Sequence, residues 1–165
     1  KKVLLPLGIE FKAAGGGDKL PFSDQSFDIV TNRHGDYDAA ELQRVLKSEG
    51  LFLTQQVGAE NDRELVELLL PQLTEVPYPK QYLEVKKAEL LEHGFEILES
   101  GEVRRPIRFF DVGALVWFAR IIEWEFPGFS VESCFEHLLE AQKSIERDGL
   151  LEGSIHRFYI VAKKK

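Results

Sequence analysis

Two short apolar runs, both rich in β-branched and aromatic residues, constrain the fold more than any other feature. FDIVTN, from Phe27 to Asn32, and LFLTQQV, from Leu51 to Val57, both suit buried strands of a parallel sheet. Between them Asp38 and Glu41 form a capping box that predicts a helix, and we expect Gly50 to end this helix in a left-handed conformation. A strand, a helix and a second strand form a crossover unit. The chain is therefore predicted to be an α/β protein with a mostly parallel sheet.

The rest of the chain continues this alternation. Further strands are predicted at 9–14, 95–103 and 154–162, and further helices at 61–70 and 83–93, the last closed by Gly94. Two more helices, which begin at Asp111 and Ser130, fill the segment 106–153; Gly149 ends the second. We therefore expect a core made of residues 1–105 and 154–165, with 106–153 as a helical insertion before the last strand.

Composition narrows the choice of partners and compartment. The chain has 165 residues and a net charge of −7, which argues against a nucleic-acid partner. No apolar run reaches the roughly 18 residues that a membrane-spanning helix needs, so we expect no membrane partner. The single cysteine, Cys134, is predicted to be a buried structural thiol, which suits a cytoplasmic protein. The run from Lys163 to Lys165 is interpreted as a frayed, solvated end.

The beginning of the sequence is unusual. The 165 residues include no methionine, and the chain opens on Lys1 and Lys2. Because an initiator methionine is generally removed only before a small residue, Lys1 is an improbable natural start. We therefore expect the sequence to be a fragment.

The most specific pattern is LPFSDQSFDIV, from Leu20 to Val30, followed by ELQRVLKSEGLFLTQQVG, from Glu41 to Gly58. By spacing alone the first stretch reads as a connecting loop, because Pro21, Ser23 and Asp24 favour turns. Together the two stretches resemble the middle of a class I S-adenosylmethionine-dependent methyltransferase, of the branch similar to ubiquinone and menaquinone biosynthesis enzymes. That family shows Leu-Pro-Phe-x-Asp-x-Ser-Phe-Asp, then a helix with Glu-x-x-Arg-Val-Leu-Lys before a Pro-Gly-Gly turn. Here Ser48 and Glu49 replace the Pro-Gly of that turn.

This resemblance implies a Rossmann-like methyltransferase sheet that is truncated at its N-terminus. VLLPLGIEF, residues 3–11, resembles the approach to the family's third strand. The Gly-x-Gly turn and the ribose-binding acid of the first two strands have no counterpart here, since the run from Gly15 to Gly17 follows a different strand. The fragment alone is therefore expected to be inactive.

The resemblance also suggests which residues bind the cofactor, S-adenosylmethionine. Asp18 and Lys19 occupy the loop that contacts the adenine in the family, although the family's usual acidic position is Gly16 in this chain. Asn32 and Arg33 follow the strand whose end faces the methionine part of the cofactor. His34 is a candidate general base, with a surface loop residue as the alternative. No arrangement of residues indicates a metal site.

Two further features are open to two interpretations each. Gln55 and Gln56 end a strand, so one must point to the packed side, and either a substrate contact or a structural role is possible. The insertion is rich in aromatic residues: Trp117, Phe118, Trp124, Phe126 and Phe129. They form either a helix packed on the core or a lid over an apolar substrate pocket.

These patterns together predict a methyltransferase that, when intact, acts on a small-molecule acceptor. One alternative is a non-catalytic Rossmann-like binding or oligomerisation module, which an upstream Gly-x-Gly turn would argue against. A nicotinamide-dependent oxidoreductase shares the fold class but lacks the paired motif. An uncovered sheet edge in a truncated chain also makes a homodimer possible.

Overall fold

The computed structural model describes residues 5–13 and 19–165. Within them lie four strands, five α-helices and a short 3₁₀ turn at Leu5–Leu7. The strands are β1 (Phe27–Arg33), β2 (Leu46–Val57), β3 (Phe95–Phe109) and β4 (Leu151–Lys164). The helices are α1 (Ala39–Val45), α2 (Arg63–Leu69), α3 (Leu83–Glu92), α4 (Val112–Ile121) and α5 (Phe135–Asp148). The predicted α/β class is confirmed, and the helical insertion before the last strand is present as α4 and α5.

The chain forms two compact units. Unit 1 comprises Lys1–Gln55, Lys86–Ser100 and Tyr159–Lys165, and unit 2 comprises Gln56–Val85 and Gly101–Phe158. Strands β2, β3 and β4 each contribute residues to both units. These bounds differ from the predicted insertion at 106–153, whose existence as a separate domain or lid stays a prediction.

The strand order in the sheet is β1-β2-β4-β3, and β1 is parallel to β2. Contacts within unit 1 give the direction of β4. Lys164, at the end of β4, donates to Leu46 at the start of β2. On the other side, Tyr159 of β4 donates to Glu99 in β3, and the Lys165 amide donates to the Gly94 carbonyl just before β3. Strand β4 is thus antiparallel to both neighbours, and the other three strands run in one direction. The expectation of a mostly parallel sheet holds.

The junction between α1 and β2 differs from the prediction. Asp38 caps α1 as expected, by accepting a hydrogen bond from the Glu41 amide at 2.9 Å. However, the helix ends at Val45 and β2 begins at once with Leu46, which is fully buried. The predicted left-handed cap at Gly50 is wrong, because Gly50 lies inside β2. A Cβ there would come within 2.9 Å of the Lys47 carbonyl, so this glycine allows a close backbone approach instead.

The first predicted strand is also wrong where it is described. Residues 9–13 have no regular secondary structure, and Ala14 lies outside the described residues. Strand β1 is less buried than predicted, since the side chain of Ile29 is 56% exposed. Among the described residues β1 pairs only with β2, so one edge and part of one face stay uncovered.

Each unit has its own apolar core. In unit 1 the buried side chains come from α1, α3 and the sheet, and include Leu42, Phe52, Leu90, Phe95 and Ile160. In unit 2 they come mainly from α2, α4 and α5, and include Leu65, Leu69, Leu115, Phe126 and Leu138. Cys134 belongs to the second core, and its prediction as a buried thiol is confirmed.

Helix ends follow local chemistry in most cases. Gly94 and Gly149 both have φ +82° and end α3 and α5 as predicted. Asp111 caps α4 by accepting from the Ala114 amide at 2.7 Å. Helix α5 begins at Phe135 rather than at Ser130, because the Ser130 hydroxyl closes a turn of its own by accepting from the Ser133 amide. In the part of the chain that the structure describes, no helix has the length and apolar character needed to cross a membrane.

The prediction of a frayed C-terminus is wrong. Strand β4 continues to Lys164, whose side chain is only 8% exposed. Its ammonium donates to the Leu46 carbonyl at 2.8 Å and also to the Gln43 carbonyl, at the end of α1. Lys163 forms an ion pair with Glu49 at 2.8 Å. The basic tail is therefore part of unit 1, because Lys164 supplies a donor to the last carbonyls of α1, which have no partner within the helix.

Candidate functional site

The guanidinium of Arg44, in the last turn of α1, holds the loop that precedes β1. It donates to the carbonyls of Leu20 and Phe22 at 3.0 and 2.8 Å and to Asp24 at 2.8 Å. It also makes a bidentate pair with Glu41, at 2.8 and 2.7 Å, and Glu41 in turn accepts from the Leu20 amide. We call these residues the Arg44 clamp: Leu20, Phe22, Asp24, Glu41 and Arg44. The two halves of the sequence motif are thus parts of one hydrogen-bonded assembly.

Other contacts complete the loop. The backbone amides of Gln25 and Ser26 donate to the last carbonyls of α1, on Arg44 and Val45. Lys47 donates to both carboxylate oxygens of Asp28 at 2.8 Å, and the rings of Phe22 and Phe27 pack edge to face at 4.9 Å between centroids. The polar run before β1 therefore fixes the loop against α1 at the point where β1 begins.

The charges of the clamp reinforce each other. The hydrogen bond from Arg44 lowers the pKa of Glu41 to about 2 and also lowers the pKa of Asp24. The hydrogen bond to Glu41, with a smaller effect of Asp24, raises the pKa of Arg44 above its ordinary value. Both carboxyls are thus ionised over the whole physiological range.

The clamp is predicted to resist acid. Because the pKa of Glu41 is lowered in the folded state, its contribution to stability is complete above its ordinary value of 4.5 and is lost as the pH falls towards about 2. We expect the amides of Leu20, Gln25 and Ser26 to stay protected from hydrogen exchange at pH 4 and to lose protection between pH 3.5 and 2. The control is Glu41→Gln, which should show low protection at every pH. Loss of protection at pH 5 in the unmodified chain would contradict this account.

A cleft of about 660 Å³ opens beside the clamp in unit 1. It is formed by the C-terminal half of β1, the loop that follows, the first turns of α1 and the end of α3. We call it the β1–α1 cleft; its lining residues are Leu20, Val30, Thr31, Asn32, Asp36, Tyr37, Asp38, Ala39, Ala40, Glu41, Leu42, Glu89 and His93. Four of them are acidic and none is Lys or Arg, so the cleft favours a cationic ligand over an anionic one. Its volume lies in the range of small-molecule sites.

Two polar side chains stand out in the cleft. Asn32 donates to the Asp36 carbonyl at 3.4 Å, and its side-chain oxygen accepts from Thr54 at 3.3 Å. The hydroxyl of Tyr37 is buried, and it has no hydrogen-bond partner among the residues at 5–13 and 19–165. Burial, with a smaller effect of Glu89, raises the pKa of this hydroxyl above its ordinary value. Tyr37 is held by an edge-to-face contact with Phe52 at 4.9 Å and by the Lys86 ammonium, 5.0 Å from its ring.

The predicted site residues divide into three groups. Asn32 lines the cleft, whereas Asp18 lies outside the described residues. Lys19 is exposed and close enough to Glu41 to help lower its pKa. Arg33 donates to Gln55 at 3.1 Å, and His34, exposed and in a left-handed conformation with φ 52°, donates its amide to the Gln55 carbonyl. Arg33 and His34 do not line the cleft, and the roles of all five residues in binding or catalysis stay predictions.

Strand alternation at the end of β2 follows expectation. Gln56 is buried, at 3% exposure, and Gln55 is partly exposed against Arg33.

The aromatic side chains of the insertion differ in their exposure. Phe126 belongs to the core of unit 2, whereas Trp117 and Trp124 are 66% and 58% exposed. The lid over a substrate pocket stays a prediction for this segment.

Sequence reasoning missed most of the cleft. Asp36 and Tyr37 lie in the turn after His34. Glu89 lies in the last turn of α3 and His93 directly follows that helix, more than 45 residues further along the chain. The only signal for Asp36 and Tyr37 was their position at the C-terminal end of a strand, where ligands bind in open α/β sheets. Nothing in the sequence pairs α3 with that loop. Among the described residues, no group of three or more His, Cys, Asp or Glu side chains forms a metal site.

Comparison with solved structures identifies the fold. A protein of Bacillus halodurans described as a candidate methyltransferase superimposes with a TM-score of 0.57 and 18% identity, over 99% of this chain and 85% of that one. The YcgJ protein of Bacillus subtilis gives a TM-score of 0.53 and 20% identity, over 99% of this chain and 76% of that one. At these identities the likeness is one of fold.

The chain thus has the Rossmann-like fold of the class I methyltransferases, as the motif suggested. No protein-family model and no curated protein matches the sequence. The resemblance to the ubiquinone and menaquinone branch stays a prediction.

Proposed function

We propose that the protein, in its intact form, transfers a methyl group from S-adenosylmethionine to a small-molecule acceptor. The observation that carries the proposal is the Arg44 clamp. It joins the two halves of the methyltransferase-like motif, and it stands beside the cleft at the C-terminal end of β1. The five guanidinium hydrogen bonds fix the loop against α1, and Leu20 and Glu41 of the clamp also line the cleft.

The residues of the β1–α1 cleft fit this cofactor. S-adenosylmethionine carries a positive sulfonium and supplies an electrophilic methyl group when bound. Asp36, Asp38, Glu41 and Glu89 give the cleft a negative potential that favours such a cation. Asp38 and Glu41 are occupied by the helix cap and the clamp, and Glu89 pairs with Lys86 at 2.8 Å. Asp36 therefore remains the acid best able to face a bound cation directly.

The chain's own residues would act mainly by alignment. Methyl transfer is a direct displacement, so the protein has to orient the acceptor, exclude water and preserve the charge around the sulfonium. Asn32 is fixed on both sides by Thr54 and the Asp36 carbonyl, which suits it to orient a polar group of the cofactor. Tyr37 offers a buried hydroxyl that stays protonated at neutral pH and can donate to an acceptor oxygen or nitrogen.

A non-catalytic binding module is the second candidate. It rests on the exposed Trp117 and Trp124, because large exposed apolar side chains often mark a partner surface, but the likeness to solved methyltransferase structures does not favour it. The two candidates make opposite predictions for cofactor binding. A homodimer also stays possible on either account.

The test is calorimetric titration of S-adenosylmethionine into the product of the complete gene, with the 165-residue chain in parallel. Methyltransferase function predicts micromolar binding by the complete product and, from the missing glycine motif, little or none by the 165-residue chain. Failure of both to bind would overturn the proposal and favour the binding module. Measurable methyl transfer by the 165-residue chain would instead contradict the expectation that it is inactive alone.

Changes in the cleft should weaken that binding. In the complete product, Asn32→Ala removes a fixed amide, and we expect about a tenfold rise in Kd, the usual effect of losing one good hydrogen bond. Asp36→Asn removes one negative charge, and we expect a rise of about threefold that shrinks at high salt. Asp148→Asn is the matched control, since Asp148 is an exposed acid of unit 2 paired with Arg147. Equal Kd values for all three variants would exclude the cleft as the cofactor site.

A further inference from the structure

Unit 2 contains a cluster of buried polar side chains that the proposed function does not use. Asn61, Asp62 and Glu125 are 5%, 2% and 5% exposed. The Asn61 amide donates to one carboxylate oxygen of Asp62 at 2.5 Å and also hydrogen-bonds Glu125. The Asn61 side-chain oxygen accepts from the His156 amide and from Arg157. One asparagine therefore joins two buried carboxyl groups to strand β4.

Asp62 is unusual in its position. It precedes α2 at the N-cap, where an aspartate normally accepts a hydrogen bond from the helix, yet its side chain makes no such bond. Its backbone is left-handed, with φ 56°, which is uncommon for a residue other than glycine. Its second oxygen, Oδ1, is buried and has no partner in the described part of the chain. An ionised carboxylate would leave that oxygen both charged and unsatisfied.

The charges around the pair do not balance two negative carboxylates. Arg157 of β4 faces both groups, Arg63 at the start of α2 faces Glu125, and Glu64 of α2 adds a further negative charge near Asp62. Arg63 is also engaged elsewhere, with Glu67 and the Leu73 carbonyl. Burial raises the pKa of Asp62 to about 6, and burial followed by repulsion from Asp62 raises the pKa of Glu125 to about 7.

We propose that Asp62 and Glu125, which Asn61 bridges, hold one proton between them at neutral pH and form a pH-sensitive latch that holds the start of α2 in place within unit 2. While the proton is bound, one carboxyl is neutral, and the charge of the other is partly offset by Arg157 and by its hydrogen bond with Asn61. When both carboxyls are ionised, they repel each other and the segment 58–66 opens more often. The latch does not depend on methyl transfer and would operate in a binding module as well.

The sign of the pH dependence follows from the raised pKa values. A carboxyl that holds its proton more tightly in the folded state adds stability below its ordinary pKa, 3.8 for Asp62 and 4.5 for Glu125. That stability is lost as the pH rises towards about 6 and about 7 respectively. Glu41 acts in the opposite direction, because its pKa is lowered, so a local loss of protection on the alkaline side distinguishes the latch from the Arg44 clamp.

The test is hydrogen exchange of the Asp62, Leu65 and Val66 amides between pH 5.5 and 8.5, expressed as protection factors. These amides donate to Ser154 and Asp62 carbonyls, so they report directly on the start of α2. We expect protection to fall about tenfold between pH 6 and 8, because Glu125 loses its proton as the pH rises from 6 to its raised pKa of about 7. Glu125→Gln should remove this dependence and keep protection high at pH 8. Glu123→Gln, an exposed neighbour, should leave the dependence unchanged.

A second measurement needs no variant. Carboxyl carbon NMR of the unmodified chain should show Asp62 and Glu125 titrating above pH 5, in two coupled steps. The proposal is overturned if both titrate below pH 5, or if protection of the three amides stays constant from pH 6 to 8. Retention of the pH dependence in a folded Glu125→Gln chain would overturn it as well.

Discussion

Gly58→Ala is expected to destabilise unit 2 by at least about 3 kcal/mol, because no room exists for a methyl group at this position. A Cβ on Gly58 would lie well under 3.0 Å from three atoms of the His156 imidazole. That ring is fully buried and cannot swing away. Its Nδ1 accepts from the Glu60 amide, and its Nε2 bonds Glu102. Chemical denaturation of the purified variant, followed by circular dichroism, measures the loss.

Gly35→Ala is the matched control, since the nearest atom to a Cβ there is 3.6 Å away. We expect its stability to be within about 0.5 kcal/mol of the original chain. A double variant gives a sharper test. His156→Ala removes the obstructing ring, so Gly58→Ala should cost much less in that background than alone. Equal costs in both backgrounds would show that the His156 ring is not the cause.

Arg44→Met is expected to have the second large effect. We expect it to disorder the loop before β1 rather than to destabilise the core. The change removes every hydrogen bond of the guanidinium and leaves the partly buried carbonyls of Leu20 and Phe22 without their donor. Glu41 also loses its counter-ion. We expect protection of the Gln25 and Ser26 amides to fall by tenfold or more, and proteolysis to begin within residues 19–26.

The control for Arg44 is Arg33→Met, which removes an exposed arginine with a side-chain bond to Gln55. This variant should leave the loop protected and resistant to protease. Arg44→Lys is informative as well, because an ammonium cannot reproduce the planar fork that serves two carbonyls and a bidentate carboxylate. If Arg44→Lys protects the loop fully, charge alone is sufficient and the clamp geometry is less important than proposed.

The parts of the fold that sequence predicted well are those fixed by local chemistry. Asp38 and Asp111 cap their helices, Gly94 and Gly149 end theirs, and the alternation of strands and helices gives the α/β class. The motif at Leu20–Asp28 predicted the methyltransferase fold correctly. Each of these depends on residues close together in the sequence.

The parts that sequence missed depend on distant contacts. Glycine at position 50 suggested a helix end, but pairing of Leu46 with Phe27 draws the chain into β2 five residues earlier. The cleft lies between the loop after β1 and α3, and no sequence pattern in either segment predicts that they pack together. The same holds for Asp62, since its burial and its interaction with Glu125 depend on parts of the chain that are distant in the sequence.

The bond between Lys164 and the end of α1 has a consequence for how the protein is made. Helix α1 receives the donor for its last carbonyls from Lys164, more than a hundred residues further along the chain. During synthesis Lys164 is made more than a hundred residues after α1, so the end of α1 has no such donor until β4 has been made. A nascent chain stalled short of β4 should therefore expose the surface that Lys164 later covers.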